Sequence, residues 1–287
     1  MATLKEIKTR IGSVQNTLKI TSAMKMVSSA KLHQAQNAAV SFKLYDDAVN
    51  SLVGTLRSDT PYELTSVFTD SHEVKQHATI VAFASDSSLC GAFNTLSIHN
   101  FTKEFEKMQH SGYTDITVYP VGEKMVQAAT KAGYTLCKDY STLSSKFSYE
   151  KTSALATHLT ELYVSGRTDN VAIVYSHFKS IGKQIPTHIT LLPISQFENK
   201  AVEFKNSFIR EPQASDLYHQ LLTKLISTRL HSILIDSIMA EQAARSVAMQ
   251  IATDEAEKLL NELTLTYNKL RQKAITDELS LLAQSDY

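Results

Sequence analysis

The segment Ser85-Asp86-Ser87-Ser88-Leu89-Cys90-Gly91 is where residue types and spacing in this 287-residue chain first suggest chemistry. It follows an apolar run, Ala78–Ser85, of the kind that forms a strand covered on both faces. The turn after such a strand is where many α/β folds hold a ligand. Cys90 or Ser88 is the candidate nucleophile, but a Ser/Asp/Gly loop is also ordinary turn and helix-cap chemistry, and no partnered base stands near it in the sequence. The phosphate-binding and hydrolase signatures GxGxxG, GxxxxGK[ST] and GxSxG are all missing. The ten histidines are scattered, without HExxH or a His/Cys spacing suited to zinc. His72 and His77 do not share a helical face and read as loop residues. Cys90 and Cys137 form neither a disulfide framework nor a CxxC knuckle, as expected of a reducing cytoplasm. Met24, Met26 and Met249 read as packing or interface residues. These residues predict no catalytic centre, no cofactor and no metal.

Composition narrows the class. With 43% hydrophobic and 20% charged residues the chain is globular, long enough for one large domain or two small ones. No run of 18 apolar residues occurs, so no spanning helix is predicted, and the first residues resemble neither a signal peptide nor a transit peptide. The zero net charge hides an asymmetry: residues 1–40 carry six bases and one acid, residues 213–287 seven bases and ten acids. A basic segment is either a solvated face or a surface for nucleic acid, membrane or an acidic partner. Aromatic residues are nearly absent there, which removes a stacking platform for single strands.

Glycine and proline divide the chain. All five prolines and six of the eight glycines fall between 61 and 212, and residues 213–287 contain neither type. Both ends therefore read as long uninterrupted helices, with Thr3 and Glu6 forming a capping box and Pro212 in the first turn of the last helix. The expected divisions are 1–60, 61–211 and 212–287. At 1.5 Å per residue the last helix is about 110 Å long, against about 50 Å for a compact sphere of this mass. It must project and find a partner. Leu4, Ile7, Ile11, Val14 and Leu18 step by three and four, continuing through Thr21, Lys25 and Ser28. Ala256, Leu259, Leu263, Tyr267, Leu270 and Ala274 mark a matching stripe, so the two ends are predicted to form an antiparallel coiled coil. Between them, strands at Ala78–Ser85, Ile116–Val121, Gly133–Cys137 and Asn170–Ser176 alternate with helices near 95–110, 123–132 and 149–165. That is a mostly parallel α/β sheet. Ile185–Ile194 is expected to return antiparallel at the edge, where Pro186 and Pro193 are tolerable.

Three strings carry a resemblance. SVQNTLKITSAMKMVSSAKL at 13–32, preceded by Lys5-Glu6-Ile7, is similar to the amino-terminal signature of the gamma subunit of F-type ATP synthase. AEQAARSVAMQIATDEA at 240–256 with LTLTYNKLRQKAITDEL at 263–279 resembles its carboxy-terminal signature, and SDSSLCGAFN at 85–94 its central one. The resemblance implies a coiled-coil shaft with a Rossmann-like α/β domain at its foot. That protein is a non-catalytic rotor conveying torque between the ion-driven membrane ring and the catalytic beta subunits. The implied partners are the alpha and beta subunits of the head, the epsilon subunit and the c-subunit ring. The implied place is the cytoplasmic side of a bacterial inner membrane, held there peripherally through the complex. The family pattern places the shaft's neck at Met24 and Lys25, and a catch on one beta subunit at Arg271 and Gln272. Departures are Ser87, Ser88 and Ala92, where many relatives have a basic residue and glycines, and Phe208-Ile209-Arg210, where tyrosines are frequent near the ring contact. The paired-cysteine insertion of the chloroplast form is missing, so no thiol switch is expected. The rival classes are a non-rotating coiled-coil adaptor and an α/β enzyme with helical dimerisation arms. Co-purification with alpha and beta subunits separates the first, and turnover by the isolated chain would favour the second.

Overall fold

The computed structural model describes residues 3–59, 68, 76–145, 148–194 and 214–285. Its elements run α1 (Leu4–Asp59), β1 (His77–Phe83), α2 (Phe93–His110), β2 (Asp115–Val121), α3 (Glu123–Lys131), β3 (Thr135–Leu136), a 3-10 turn (Ser141–Ser145), α4 (Tyr149–Val164), β4 (Asn170–Ser180), β5 (Lys183–Leu192) and α5 (Ala214–Ser285). The chain forms two compact units, Met1–Ala30 with Arg245–Tyr287, and Lys31–Ala244. Pro61, His72, Phe208-Ile209-Arg210 and Pro212 lie outside the described residues.

The first unit is a pair of helices. α1 opens on the capping box: Thr3 N–H donates to Glu6 Oε2 at 2.8 Å, and Glu6 N–H to Thr3 Oγ1 at 3.3 Å. These satisfy two of the backbone donors that a helix start leaves without an internal acceptor. Ile7, Thr21 and Ser28 are buried, with Leu4, Ile11, Val14, Leu18 and Lys25 half-buried between them, so the seam on α1 lies where its spacing puts it. Thr253 Oγ1 lies 2.9 Å from Thr21 Oγ1. For antiparallel helices of equal rise, that contact sets Leu18 about level with Ala256, Val14 with Leu260, Ile11 with Leu263, Ile7 with Tyr267 and Leu4 with Leu270. The stripe on α5 thus needs one correction. Leu259 is 37% exposed and Leu260 half-buried, and the heptad-spaced positions that are buried or half-buried run 249, 253, 256, 260, 263, 267, 270 and 274, with 250, 252 and 268 half-buried beside them. A heptad seam alternates steps of three and four, so after the three-residue step from Thr253 to Ala256 the next step is four. With leucine at both 259 and 260, residue type does not choose between them.

The second unit is a doubly wound sheet of order β3-β2-β1-β4-β5. β1 to β4 are parallel, and β5 returns antiparallel along β4. Strand residues alternate between two cores. Val81, Phe83, Tyr119, Val121, Val171 and Ile173 face α4 and segments of α1 and α5. Ile80, Ala82, Ile116, Val118, Ala172 and Val174 face α2 and α3. Coverage on both sides is why these strands read as continuous apolar runs. Pro120 is tolerated inside β2 because Val118 C=O accepts from Cys137 N–H on the β3 side. Pro120, two residues on, points its missing N–H to that same side, past the end of the two-residue β3. The edge strand accommodates Pro186, as its position predicts. β4 runs four residues beyond the expected strand end at Ser176, and with β5 it continues as a ribbon past the last β1 pair, Ala82–Val174.

His231 of α5 is 6% exposed, with its ring 4.7 Å from the Phe42 ring of α1 and 5.3 Å from the Tyr149 ring of α4. Its Nδ1 lies 3.3 Å from Thr152 Oγ1. Burial holds its pKa below the ordinary 6.5. A depressed pKa means that the folded chain binds fewer protons than the unfolded one, so stability is full above 6.5 and is lost as pH falls below it. Melting temperature should decline more steeply between pH 7 and 5 for the native chain than for His231→Phe. Parallel curves would show that the folded ring titrates with its ordinary pKa. In the helix pair, Leu260→Ala should cost about 1–2 kcal/mol in denaturant unfolding, while Leu259→Ala should stay within about 0.5 kcal/mol of the native chain.

Candidate functional site

In a doubly wound sheet a ligand binds outside the carboxyl ends of the strands, where the winding direction reverses. Here that point lies between β1 and β4, and the loop after β1 is Ser85–Gly91. Ser85 and Cys90 are buried while Asp86, Ser87, Ser88 and Leu89 are exposed. Asn94 of α2 ties the loop down: its Oδ1 accepts from Ser85 N–H at 3.1 Å, and its Nδ2 donates to Cys90 Sγ at 3.2 Å. Cys90 is 1% exposed, and among the described residues no base touches it. The thiol is directed into the protein rather than toward an incoming substrate. Leu89 adopts φ 69° beside Gly91 at φ 61°, the left-handed turn that carries the chain from strand to helix.

Two features occupy the places a nucleotide would need. Asp86 Oδ1 accepts from Glu123 N–H at 3.2 Å and from Ser144 Oγ at 2.8 Å. The N-terminus of α3, whose dipole favours an anion, already holds a carboxylate of its own chain. Gly122, at φ 95°, lets that junction close: a Cβ there would stand 2.1 Å from Ala84 O. The second feature is a plug. Cys90 and Phe93 from the loop and α2 pack with Phe178 of β4 and with Ala240 and Ala244 of α5. The crevice at the reversal is filled by side chains and one face of α5.

Beside it, a cleft of about 600 Å³ opens between α1, β4 and α5, lined in part by Asp46, Tyr175, His177, Ser232 and Asp236. Asp236 is bound twice: its Oδ2 lies 2.6 Å from His177 Nδ1, and its Oδ1 accepts from Phe178 N–H at 2.9 Å. A carboxylate only accepts, so the His177 ring carries its proton on Nδ1. Among the described residues no hydroxyl or thiol hydrogen-bonds to that ring. Burial and the neighbouring Asp236 push the Tyr175 phenol up to about 12, so it keeps its proton at neutral pH. The sequence reading did not select Asp236, His177 or Asp86. A signal for Asp236 exists: it is the one charged residue between Leu230 and Ala240, a helix stretch rich in Ile and Leu that has to be buried.

The positions singled out by the family pattern lie on the helix pair. Met24 and Lys25 are half-buried on α1, and Arg271 and Gln272 are exposed on α5. The two pairs are not brought together. Arg271 is level with the start of α1, about 30 Å along the axis from Lys25. From 271 to 280 every residue of α5 is exposed except the half-buried Ala274.

The sequence matches the family described as ATP synthase over residues 3–282. It is 44% identical to the ATP synthase gamma chain of Bacteroides thetaiotaomicron over 97% of both chains. It is 42% identical to that of Parabacteroides distasonis, over 97% of this chain and 96% of the other. Among solved structures, the fold resembles a chain of the Euglena gracilis mitochondrial ATP synthase (OSCP/F1/c-ring), with TM-score 0.63 and 18% identity over 98% of this chain and 93% of that one. It also resembles a chain of the Tetrahymena thermophila mitochondrial ATP synthase (central stalk/c-ring), with TM-score 0.57 and 23% identity over 81% and 99%. With two-fifths of its residues identical over almost the full length of curated relatives, the chain belongs to the ATP synthase gamma chain family.

Proposed function

We propose that this chain is the central rotor shaft of an F-type ATP synthase, conveying torque between the ion-driven membrane ring and the catalytic beta subunits without catalysing a reaction itself. The observation that carries this is the near full-length match to gamma chains on a fold whose two ends form one helix pair. In this role it assembles with the alpha and beta subunits of the head, the epsilon subunit and the c-subunit ring. It sits peripherally on the cytoplasmic side of the inner membrane, and no helix of the described residues is long and apolar enough to cross a membrane. The deciding experiment is to purify the head with its alpha and beta subunits. The chain should be present once per three beta subunits.

The plugged crevice and the Asp86 cap support a chain that takes no nucleotide of its own. Titration of the purified subunit with ATP in a calorimeter should give no heat of binding at micromolar concentrations. A micromolar site would contradict the non-catalytic assignment.

Met24 and Lys25 are the neck, and Arg271 with Gln272 the catch on one beta subunit. Arg271 follows Leu270, a seam residue, by about 100° around the helix, which turns its guanidinium away from α1. The planar fork grips a carboxylate through two hydrogen bonds, and the Gln272 amide both donates and accepts. Hydrogen bonds to charged groups contribute about 1.5–3 kcal/mol, enough to bias which beta conformation is populated. Arg271→Ala, and more so the double change with Gln272→Ala, should lower ATP turnover and synthesis several-fold in the assembled complex. Assembly should survive, since both side chains lie off the seam. Wild-type turnover in an assembled double variant would remove the catch from these residues.

A further inference from the structure

One face of α5 carries Asp236, Ala240 and Ala244 at steps of four, so the three stand one above another on successive turns. The α/β unit engages each. Asp236 is held by His177 Nδ1 at 2.6 Å and by the backbone N–H of Phe178 at 2.9 Å. Ala240, fully buried, and Ala244 pack with Cys90, Phe93 and Phe178. The two alanines leave room for two phenyl rings to approach the helix backbone, and the aspartate above them fixes the angle at which that face is presented. Elsewhere in the same unit α5 is covered mostly by apolar side chains such as Leu222, Ile226, Leu230 and Leu234, with His231 beside Thr152 as a single longer polar contact to another helix. Apolar contact resists separation but is not directional, whereas the grip of a carboxylate between two donors is lost on a rotation of one residue step and leaves the part-buried Phe178 N–H without its acceptor.

We propose that this face is the coupling through which the α/β unit turns α5. Asp236 is the positioning residue that sets the angular register, and Phe178 and Phe93 are the wedge that carries the load. The crevice that holds a ligand in other doubly wound sheets holds a helix here. This rests on the rotor function, and the two fail differently. If the native chain does not assemble with alpha and beta subunits, the rotor function is wrong. If it assembles and the coupling face has no effect, only this inference is.

The test uses the complete complex in inverted membrane vesicles, recording ATP hydrolysis and ATP-driven ion pumping side by side. A merely structural defect lowers both together. Loss of angular register lowers pumping per ATP hydrolysed. Asp236→Ala should retain hydrolysis while the pumping-to-hydrolysis ratio falls at least threefold. Asp236→Asn keeps an oxygen to accept from Phe178 N–H and should fall in between. An unchanged ratio in assembled Asp236→Ala overturns the proposal. If that variant does not assemble, an unchanged ratio in Asp236→Asn at 37 °C, together with an unchanged melting temperature of its isolated chain, overturns it equally.

Discussion

A helix of 72 residues without a glycine or proline has to find cover along its whole length, and that requirement organises this molecule. No single small domain offers about 110 Å of apolar surface, so the helix changes partner and its sequence changes character with it. From Leu222 to Ala243 most positions are buried, as in a helix enclosed on nearly all sides. From Asp254 onward burial contracts to a seam of about two residues in seven, the pattern of a helix with one companion. The companion is α1, whose own seam is short of bulky side chains at Thr21, Lys25 and Ser28. There the packing relies on small residues and the Thr21–Thr253 hydroxyl pair rather than on large apolar knobs.

The α/β unit shows the same economy applied to a fold usually associated with ligands. Its strand order, reversal point and parallel strands are those of a nucleotide-binding sheet. Yet two places in it that favour a ligand already have an internal occupant. Asp86 supplies the anion at the N-terminus of α3. Phe178, Phe93 and the alanines of α5 fill the crevice. Here the fold serves as a sheet whose crevice is filled by packing, and its topology by itself assigns no ligand.

Much of this was legible in the sequence because glycine and proline are strong local punctuation and period-2 and period-3.6 patterns are physical necessities. The strands at 78, 116 and 170, the antiparallel edge at 185 and the capping box at Thr3 and Glu6 follow from rules acting over a few residues. What stayed hidden depends on contacts distant in sequence. Leu259 and Leu260 are chemically identical, and only the register of the opposing helix decides which one faces it. The extension of β4 through Ser180 leans on Asp236, 58 positions from the Phe178 N–H it accepts, so local propensity had nothing to report. The family resemblance supplied Met24, Lys25, Arg271 and Gln272 as single positions. It carried no information about Asp236, whose significance appears only when β4 and α5 are laid side by side.

A rotor imposes opposite demands on its inner and outer surfaces, and the distribution of side chains answers both. Toward the α/β sheet α5 offers a continuous buried row, Leu222, Ile226, Leu230, Ile233 and Leu234, each worth roughly 1.5–3 kcal/mol when fully covered. Its grip there is the sum of many such terms. Along the helix pair the outward positions are mostly polar, with apolar ones at Ile20, the adjacent Met26 and Val27, Ile251, Leu259, Leu265, Ile275 and Leu279. None of them is Phe or Trp, and the seam's one aromatic, Tyr267, is turned inward and half-buried. Deep, specific traps at an interface are built chiefly from Trp, Tyr and Arg in closed pockets. A surface of scattered aliphatics and exposed charges gives shallow contacts of similar depth at many angles, so the energy that distinguishes one angle from the next has to come from a few directional groups. In the proposed catch, Arg271 and Gln272, both exposed on α5, supply that difference without adding to the adhesion everywhere else.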